Sequence, residues 1–342
     1  MVSAEARGPF SGAVLAALQV PHDDGLTRCA QTTVDASPDV LVDDDLQLGL
    51  HLLYELHYGG LHGVPDELEW SLPLLAARAV VEQAFEAELR RRFPTPSVLD
   101  GAPAGTPRRL FDLAARPCPP GGSVSGFVAR HATRAQVAEM LVLRSTYQLK
   151  EADPQTFAIP RLAGRAKAAL VEIQFDEYGG GRADRMHSEL FARCMRSLNL
   201  DDVPNAYLDH VPAAWLAASN VVSLFALHRR LRGALCGHLA MVEMTSSLPS
   251  KRWVAGLQRL GLGQDAVEFF DEHVEADAVH EQIATHDLCG SLVEQEPHLA
   301  NDVLFGANTC KQLESLGADA VLSAWRSGRT ALRSPLPHSP AM

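Results

Sequence analysis

The sequence predicts an all-α protein. Apolar residues recur every three or four positions along most of the 342 residues, which is the spacing of amphipathic helices. Stretches in which apolar and polar residues alternate, as they do in a half-buried strand, are nearly absent. The composition is 46% hydrophobic and 21% charged, so the chain has enough apolar residues to bury a large core.

The charge and the cysteines exclude several classes of protein. A net charge of −12 argues against nucleic-acid and membrane partners, because both select a basic surface. Uninterrupted apolar runs are too short to span a bilayer, and the N-terminus lacks the basic start of a secretory signal. The six cysteines lie far apart without a CxxC pair, which is typical of reduced thiols. We therefore expect a cytoplasmic protein.

Residues 1–125 form an N-terminal helical region that we expect to pack on the core or to mediate dimerisation. Its first 25 residues contain a short apolar stretch that can form a small helix. Amphipathic periodicity then predicts helices over 48–55, 72–92 and, within a Pro- and Gly-rich connection, 110–115. His51, His57 and His62 fall on different faces, and we interpret them as surface or turn residues.

Residues 126–330 form the second predicted domain, and the Pro-rich residues 331–342 are expected to be a flexible tail. Helical periodicity resumes after the Pro- and Gly-rich connection and continues almost without interruption. The predicted helices cover 125–132, 134–148, 159–178, 182–198, 212–227, 230–245, 250–260, 264–284 and 295–316.

The helix predicted over 264–284 carries the strongest candidates for metal binding. His273, Asp277 and His280 are separated by steps of four, three and seven residues, so they share one helix face. Two imidazoles and a carboxylate are costly to bury and supply half of a transition-metal site.

Glu177 and His187 are the next candidates. Ten residues span about 15 Å in a straight helix, which is too far for ligands of one metal cluster. Gly179–Gly181 lies between them, and glycine permits a bulge or break that returns both to one face. Alternatively, the glycines end a helix, and the two residues then belong to different helices that still converge. Glu172, on another face, is the competing carboxylate and is more typical of a second layer or a surface position.

Two further carboxylates complete the candidate set. Glu151 follows the helix predicted over 134–148. Glu243 lies on a mostly apolar helix, where a buried acid needs a partner. Candidate substrate contacts or outer-layer residues, besides Glu172, are Tyr147, Tyr178, Arg182 and Arg185.

Three segments, KEADPQTFAIPRL, VEIQFDEYGGGRADRMHSELF and EHVEADAVHE, resemble the haem-oxygenase-like diiron oxidase and oxygenase superfamily, especially its branch of N-oxygenases. The resemblance implies a haem-oxygenase-like seven-helix bundle, to which the N-terminal helical region is added, with two irons and no haem. It implies the ligands Glu151, Glu177, His187, Glu243, His273, Asp277 and His280. Four carboxylates and three imidazoles suit iron or manganese better than zinc or copper.

The resemblance also implies a function. We expect a non-haem diiron oxygenase that uses O2 as co-substrate and an external electron donor, and that forms a homodimer. The expected reaction is N-oxygenation of a small amine or amino acid, to a hydroxylamine or nitro product, in natural-product biosynthesis. One alternative is a diiron desaturase or C–C lyase acting on an amino acid or fatty acid. Another is a non-catalytic helical protein that binds iron or a partner.

Overall fold

The structure is a computed structural model that describes residues 4–20, 25–95, 105–116 and 122–336, apart from the side chains of residues 275, 277 and 278. Within these ranges every regular element is a helix and no strand occurs, which confirms the all-α class. No helix in the same ranges combines the length and apolar character that crossing a membrane requires. Most of the predicted tail, residues 337–342, lies outside the described ranges.

The N-terminal part of the chain packs against the rest through buried polar contacts as well as apolar ones. Its helices are α1 (Pro9–Gln19), α2 (Leu26–Ala36), α3 (Asp44–Glu55), α4 (Leu72–Arg92) and α5 (Thr106–Ala114). Helix α3 begins where the Asp43 carboxylate accepts hydrogen bonds from the amides of Asp45 and Leu46, a common N-terminal cap. Further along α3, the Gln47 carbonyl accepts a 2.9 Å hydrogen bond from Asn220.

The remaining helices build the part of the molecule that holds the candidate site. They are α6 (Val124–Arg130), α7 (Arg134–Gln148), α8 (Asp153–Thr156), α9 (Gly164–Glu177), α10 (His187–Ser197), α11 (Ala213–Leu227), α12 (Arg232–Arg259), α13 (Gln264–Gln282), α14 (Ser291–Gln295) and α15 (Ala300–Arg326). Helix α12 packs along both α13 and α15, and α10 packs on α13. This arrangement places α12 and α13 at the centre.

The two predicted helices 230–245 and 250–260 are one helix, α12, which continues through Pro249. Proline lacks the N–H that would bond one turn back, and it usually breaks or kinks a helix. Buried side chains lie on both sides of the proline, with Met241 before it and Trp253 and Leu257 after it. Tertiary packing therefore holds the helix together across the missing hydrogen bond.

The helix predicted over 264–284 changes type near its end. The α-helix α13 stops at Gln282, and the chain continues as a π-helix over Ile283–Gly290. A π-helix is rare and frequently occurs at functional sites. The predicted helix 295–316 is instead α15, which extends to Arg326 and ends before Gly328 with a φ of 69°.

Helices α12 and α15 cross with their backbones in direct contact. A Cβ atom added to Gly237 would stand 1.8 Å from the carbonyl oxygen of Val303, and one added to Gly306 would stand 1.8 Å from that of Ala234. The two glycines therefore face each other's helix at the crossing. Only residues without a side chain allow helices to approach so closely.

Candidate metal centre

Six of the seven predicted ligands lie in two overlapping groups of buried side chains. In each group, one donor atom from every residue lies within 4.8 Å of the others. The first group comprises Glu151, Glu177, His187 and His273, and the second comprises Glu177, Glu243 and His280. The backbone of Asp277 belongs to α13, but its side chain lies outside the described residues.

The glycine run brings Glu177 and His187 together by ending one helix and allowing another to begin. Gly179, Gly180 and Gly181 have φ values of 66°, 63° and 80°, and three consecutive left-handed residues cannot continue an α-helix. Glu177 is the last residue of α9, and His187 is the first of α10. The alternative of two converging helices is therefore the observed one. His187 Nδ1 lies 2.9 Å from Glu177 Oε2.

Glu177 belongs to both groups, and its two oxygens face different imidazoles. Oε2 lies beside His187, whereas Oε1 lies 3.9 Å from Nδ1 of His280. The same His280 nitrogen is 3.5 Å from Oε2 of Glu243. A carboxylate in this position can bind one cation through each oxygen.

Two of the imidazoles are fixed by a hydrogen bond on the side that faces away from the candidate ligands. Nδ1 of His273 donates to the carbonyl oxygen of Phe269 at 2.6 Å, and its Nε2 lies 3.8 Å from Glu151. Nε2 of His280 donates to Asp176 at 3.1 Å, which leaves Nδ1 facing the cluster. Outer hydrogen bonds of this kind orient histidine ligands in metal sites.

Asp176 was missed by the sequence analysis. It directly precedes Glu177, and residues one position apart point in different directions on a helix. Only the structure shows that Asp176, on the last turn of α9, accepts a hydrogen bond from the His280 ring.

Three buried atoms that could bind a metal form no hydrogen bond of normal geometry among the described residues, although the two nitrogens among them lie 2.9 and 3.5 Å from a carboxylate oxygen. They are Oε2 of Glu151, Nδ1 of His187 and Nδ1 of His280. Buried polar atoms are nearly always paired, and a cation between the side chains would satisfy all three. Oxygen and imidazole donors without thiolates suit iron or manganese. The residues present therefore fit the iron that the sequence led us to expect.

The electrostatics of the cluster also favour a cation. Burial opposes ionisation of Glu177, but the neighbouring imidazoles, foremost His187, outweigh it and lower the Glu177 pKa. Burial likewise opposes the charged form of His280, yet Glu243 and Asp176 raise its pKa to about 9. The buried carboxylates thus stabilise positive charge on the neighbouring imidazoles. A bound metal ion would take the place of the imidazole protons.

One of the predicted substrate contacts, Tyr147, is subject to the charges of the cluster carboxylates. Burial, together with the charges of Glu151, Glu177 and Glu243, raises the pKa of Tyr147 well above its ordinary value. The phenol oxygen of Tyr147 accepts a 2.9 Å hydrogen bond from Gln155. Tyr147 therefore stays protonated at neutral pH beside the three carboxylates.

The other predicted contacts lie elsewhere. Tyr178 donates to Asp153 at 2.8 Å and turns towards α8. Glu172 is exposed, which leaves Glu177 as the candidate ligand of that helix. Arg182 and Arg185 are exposed as well and form surface ion pairs, with Asp184 and Glu272 respectively.

A groove of about 860 Å³ in the described part of the chain does not touch the cluster. It lies between α1, α2 and the start of α3. A second groove of about 410 Å³ lies beside α4 and the segment 228–230. The chemistry of the cluster, not cavity size, therefore identifies the candidate site.

Comparison with known proteins points in the same direction. A family model described as an iron-containing redox enzyme, of the haem-oxygenase-like type, matches residues 138–315, just over half of the chain. This segment contains all members of both groups. A nitrosourea synthase from Streptomyces achromogenes subsp. streptozoticus is 29% identical over 166 residues, which are 48% of this chain and 35% of the relative. The chain thus spans about a third of the length of that curated relative.

Proposed function

Because the chain belongs to the family of iron-containing redox enzymes, as its sequence led us to expect, we propose that it is a non-haem diiron oxygenase. The observation that carries this proposal is the position of Glu177, which is shared by two groups of buried carboxylates and imidazoles. A carboxylate shared by two sets of ligands is typical of a dinuclear centre, whereas a single metal has no use for it.

The two groups would each hold one iron, with no haem. Glu151, His187 and His273 would bind the first together with Glu177, and Glu243 and His280 would bind the second. Asp277 is a further candidate ligand. Ferrous iron bound there would supply the electrons that activate O2.

The surrounding residues would keep water out and control protons. All six described ligands are buried, and electrostatic interactions are strongest where solvent is excluded. Tyr147 holds its proton beside the carboxylates and can donate it in a hydrogen bond to a bound substrate. Asp176 is 54% exposed while it binds His280, so a single layer of residues separates this side of the cluster from solvent.

N-oxygenation of a small amine or amino acid is the reaction that we propose. The name of the similar nitrosourea synthase describes a product in which a nitrogen atom carries a nitroso group. The net charge of −12 would also favour the approach of a cationic amine. The proposal includes an external electron donor, a homodimer, a cytoplasmic location and a role in natural-product biosynthesis.

Anaerobic titration with ferrous iron tests the metal centre. Wild-type protein should bind about two equivalents, one for each group of ligands. Glu177→Gln should weaken both sites, because both share this carboxylate. Glu172→Gln is the matched control, since it is the same substitution at an exposed position of the same helix. Glu177→Gln protein that binds iron like the control would refute the shared site.

Exposure of the iron-loaded protein to ¹⁸O2, a reductant and a panel of amines tests the reaction. Hydroxylamine or nitro products that carry ¹⁸O on nitrogen would support N-oxygenation. Alkene or aldehyde products would instead identify a desaturase or C–C lyase. Iron binding without any O2 consumption would identify a non-catalytic iron-binding protein.

A further inference from the structure

A buried ion pair connects the N-terminal part of the chain to the residue next to a candidate ligand. Glu55, at the end of α3, pairs with Lys150, which directly precedes Glu151. The other oxygen of Glu55 accepts a 2.7 Å hydrogen bond from Asn205. Asn205 in turn accepts a 2.9 Å hydrogen bond from His51. Both oxygens of the Glu55 carboxylate are therefore fixed in place.

This ion pair contributes little net stability to the fold, because burying its two charges costs desolvation free energy. Glu55 is buried, and the Lys150 ammonium is nearly so, lying 4.5 Å from the centre of the Tyr58 ring. Removing two charges from water costs several kcal/mol per ion, and well-packed apolar side chains often stabilise a protein equally well. A role in fixing local geometry accounts better for the pair.

The backbone that Lys150 holds is strained. Ala152 has a φ of 74°, a left-handed conformation that costs a residue with a side chain roughly 1–2 kcal/mol. The side chain of Gln174 on α9 donates a 2.9 Å hydrogen bond to the carbonyl oxygen of Ala152. The turn that carries Glu151 is thus held from one side by α9 and from the other by α3.

Glu151 itself contributes little to holding that turn. One of its carboxylate oxygens accepts a 2.9 Å hydrogen bond from Gln148, and the other has no hydrogen-bond partner among the described residues. The direction of this carboxylate therefore depends on the backbone of the turn. The conformation of that backbone depends in turn on the contacts of Lys150 with α3 and of Ala152 with α9.

We propose that Glu55 is a positioning residue for the metal centre, acting through Lys150 on the direction of the Glu151 carboxylate. The inference rests on the proposed function insofar as Glu151 binds iron. Glu55 lies outside residues 138–315, the segment that matches the family. The N-terminal part of the chain would thus help to set the iron affinity of the first group.

Two measurements on Glu55→Gln test the proposal. In metal-free protein, the amides of residues 150, 151 and 153 should exchange with solvent about tenfold faster or more, because the turn opens more easily. In an anaerobic ferrous titration, one of the two equivalents should bind about 10- to 100-fold more weakly, as for other losses of an outer contact. Glu82→Gln is the matched control, because Glu82 is a buried, ion-paired glutamate of α4. It should change neither quantity.

The double variant Glu55→Gln/Lys150→Met separates positioning from general stability. It leaves no unpaired buried charge, so its thermal stability should recover relative to Glu55→Gln. Its weaker iron equivalent should stay weak, because the connection is still missing. Recovery of iron affinity together with stability would overturn the proposal, as would wild-type exchange rates in Glu55→Gln. Wild-type protein that takes up no ferrous iron would refute the proposed function, while the exchange rates still decide whether Glu55 holds the turn.

Discussion

Replacing Gly306 by alanine should destabilise the protein strongly, because α12 and α15 touch at this residue. The new Cβ would stand 1.8 Å from the carbonyl oxygen of Ala234, whereas carbon and oxygen normally stay about 3.3 Å apart or more. The two helices must therefore separate by about 1.5 Å at their crossing. Overpacking of a core costs about 1–3 kcal/mol, and a clash with backbone belongs at the upper end of that range.

The expected loss can be measured as a shift in thermal unfolding. With about 2.1 cal/mol/K of unfolding entropy per residue, a loss of 3 kcal/mol lowers the Tm of a chain of this length by about 4 °C. Gly263→Ala is the control, because a Cβ added there meets no atom within 4 Å. Both variants are compared with wild type by circular dichroism without metal. If Gly306→Ala unfolds at the same temperature as Gly263→Ala, the described crossing is wrong.

Two further predictions concern histidines. Asp176→Ala removes the acceptor of His280, so ferrous affinity should fall about 10- to 100-fold at one of the two sites in an anaerobic titration; unchanged affinity would argue against an anchoring role. Burial lowers the pKa of His238 to about 4, whereas a histidine in the unfolded chain has a pKa of about 6.5. The unfolded chain therefore binds the proton more readily, and the free energy of unfolding should fall as the pH drops from about 6.5 towards 4, by about 2 kcal/mol at pH 5. In urea unfolding at pH 7 and pH 5, His238→Leu should lack this component, and an equal pH dependence in both proteins would contradict it.

Local patterns in the sequence were sufficient where a helix has clear ends. The helices predicted over 72–92 and 134–148 coincide with α4 and α7. The second begins at a capping box formed by Thr133 and Gln136, which is a purely local signal. His273 and His280 share a face for an equally local reason, and the structure places both in the cluster.

Contacts between distant residues were beyond the reach of the sequence. We interpreted His51 as a surface or turn residue, and this was wrong: its exposure is 1%, because Asn205, far along the chain, accepts its hydrogen bond. The continuity of α12 through Pro249 also depends on neighbours that no local pattern reveals. Asp176 contacts His280 and Glu55 contacts Lys150, and these partners lie 104 and 95 residues away along the chain.

The polar contacts between α3 and the rest of the chain bear on how this protein could be divided or recombined. A fragment cut near residue 125 would leave Lys150, Asn205 and Asn220 without their partners Glu55, His51 and Gln47. Each lost hydrogen bond contributes about 0.5–1.5 kcal/mol, and more where a charge takes part, and the apolar face of α11 that packs on α3 would be exposed to water. Together these losses rival the whole stability of an ordinary domain. The segment that carries the cluster is therefore not expected to fold when it is separated from α3. A chimaeric protein that contains this segment would need another helix that makes the same contacts.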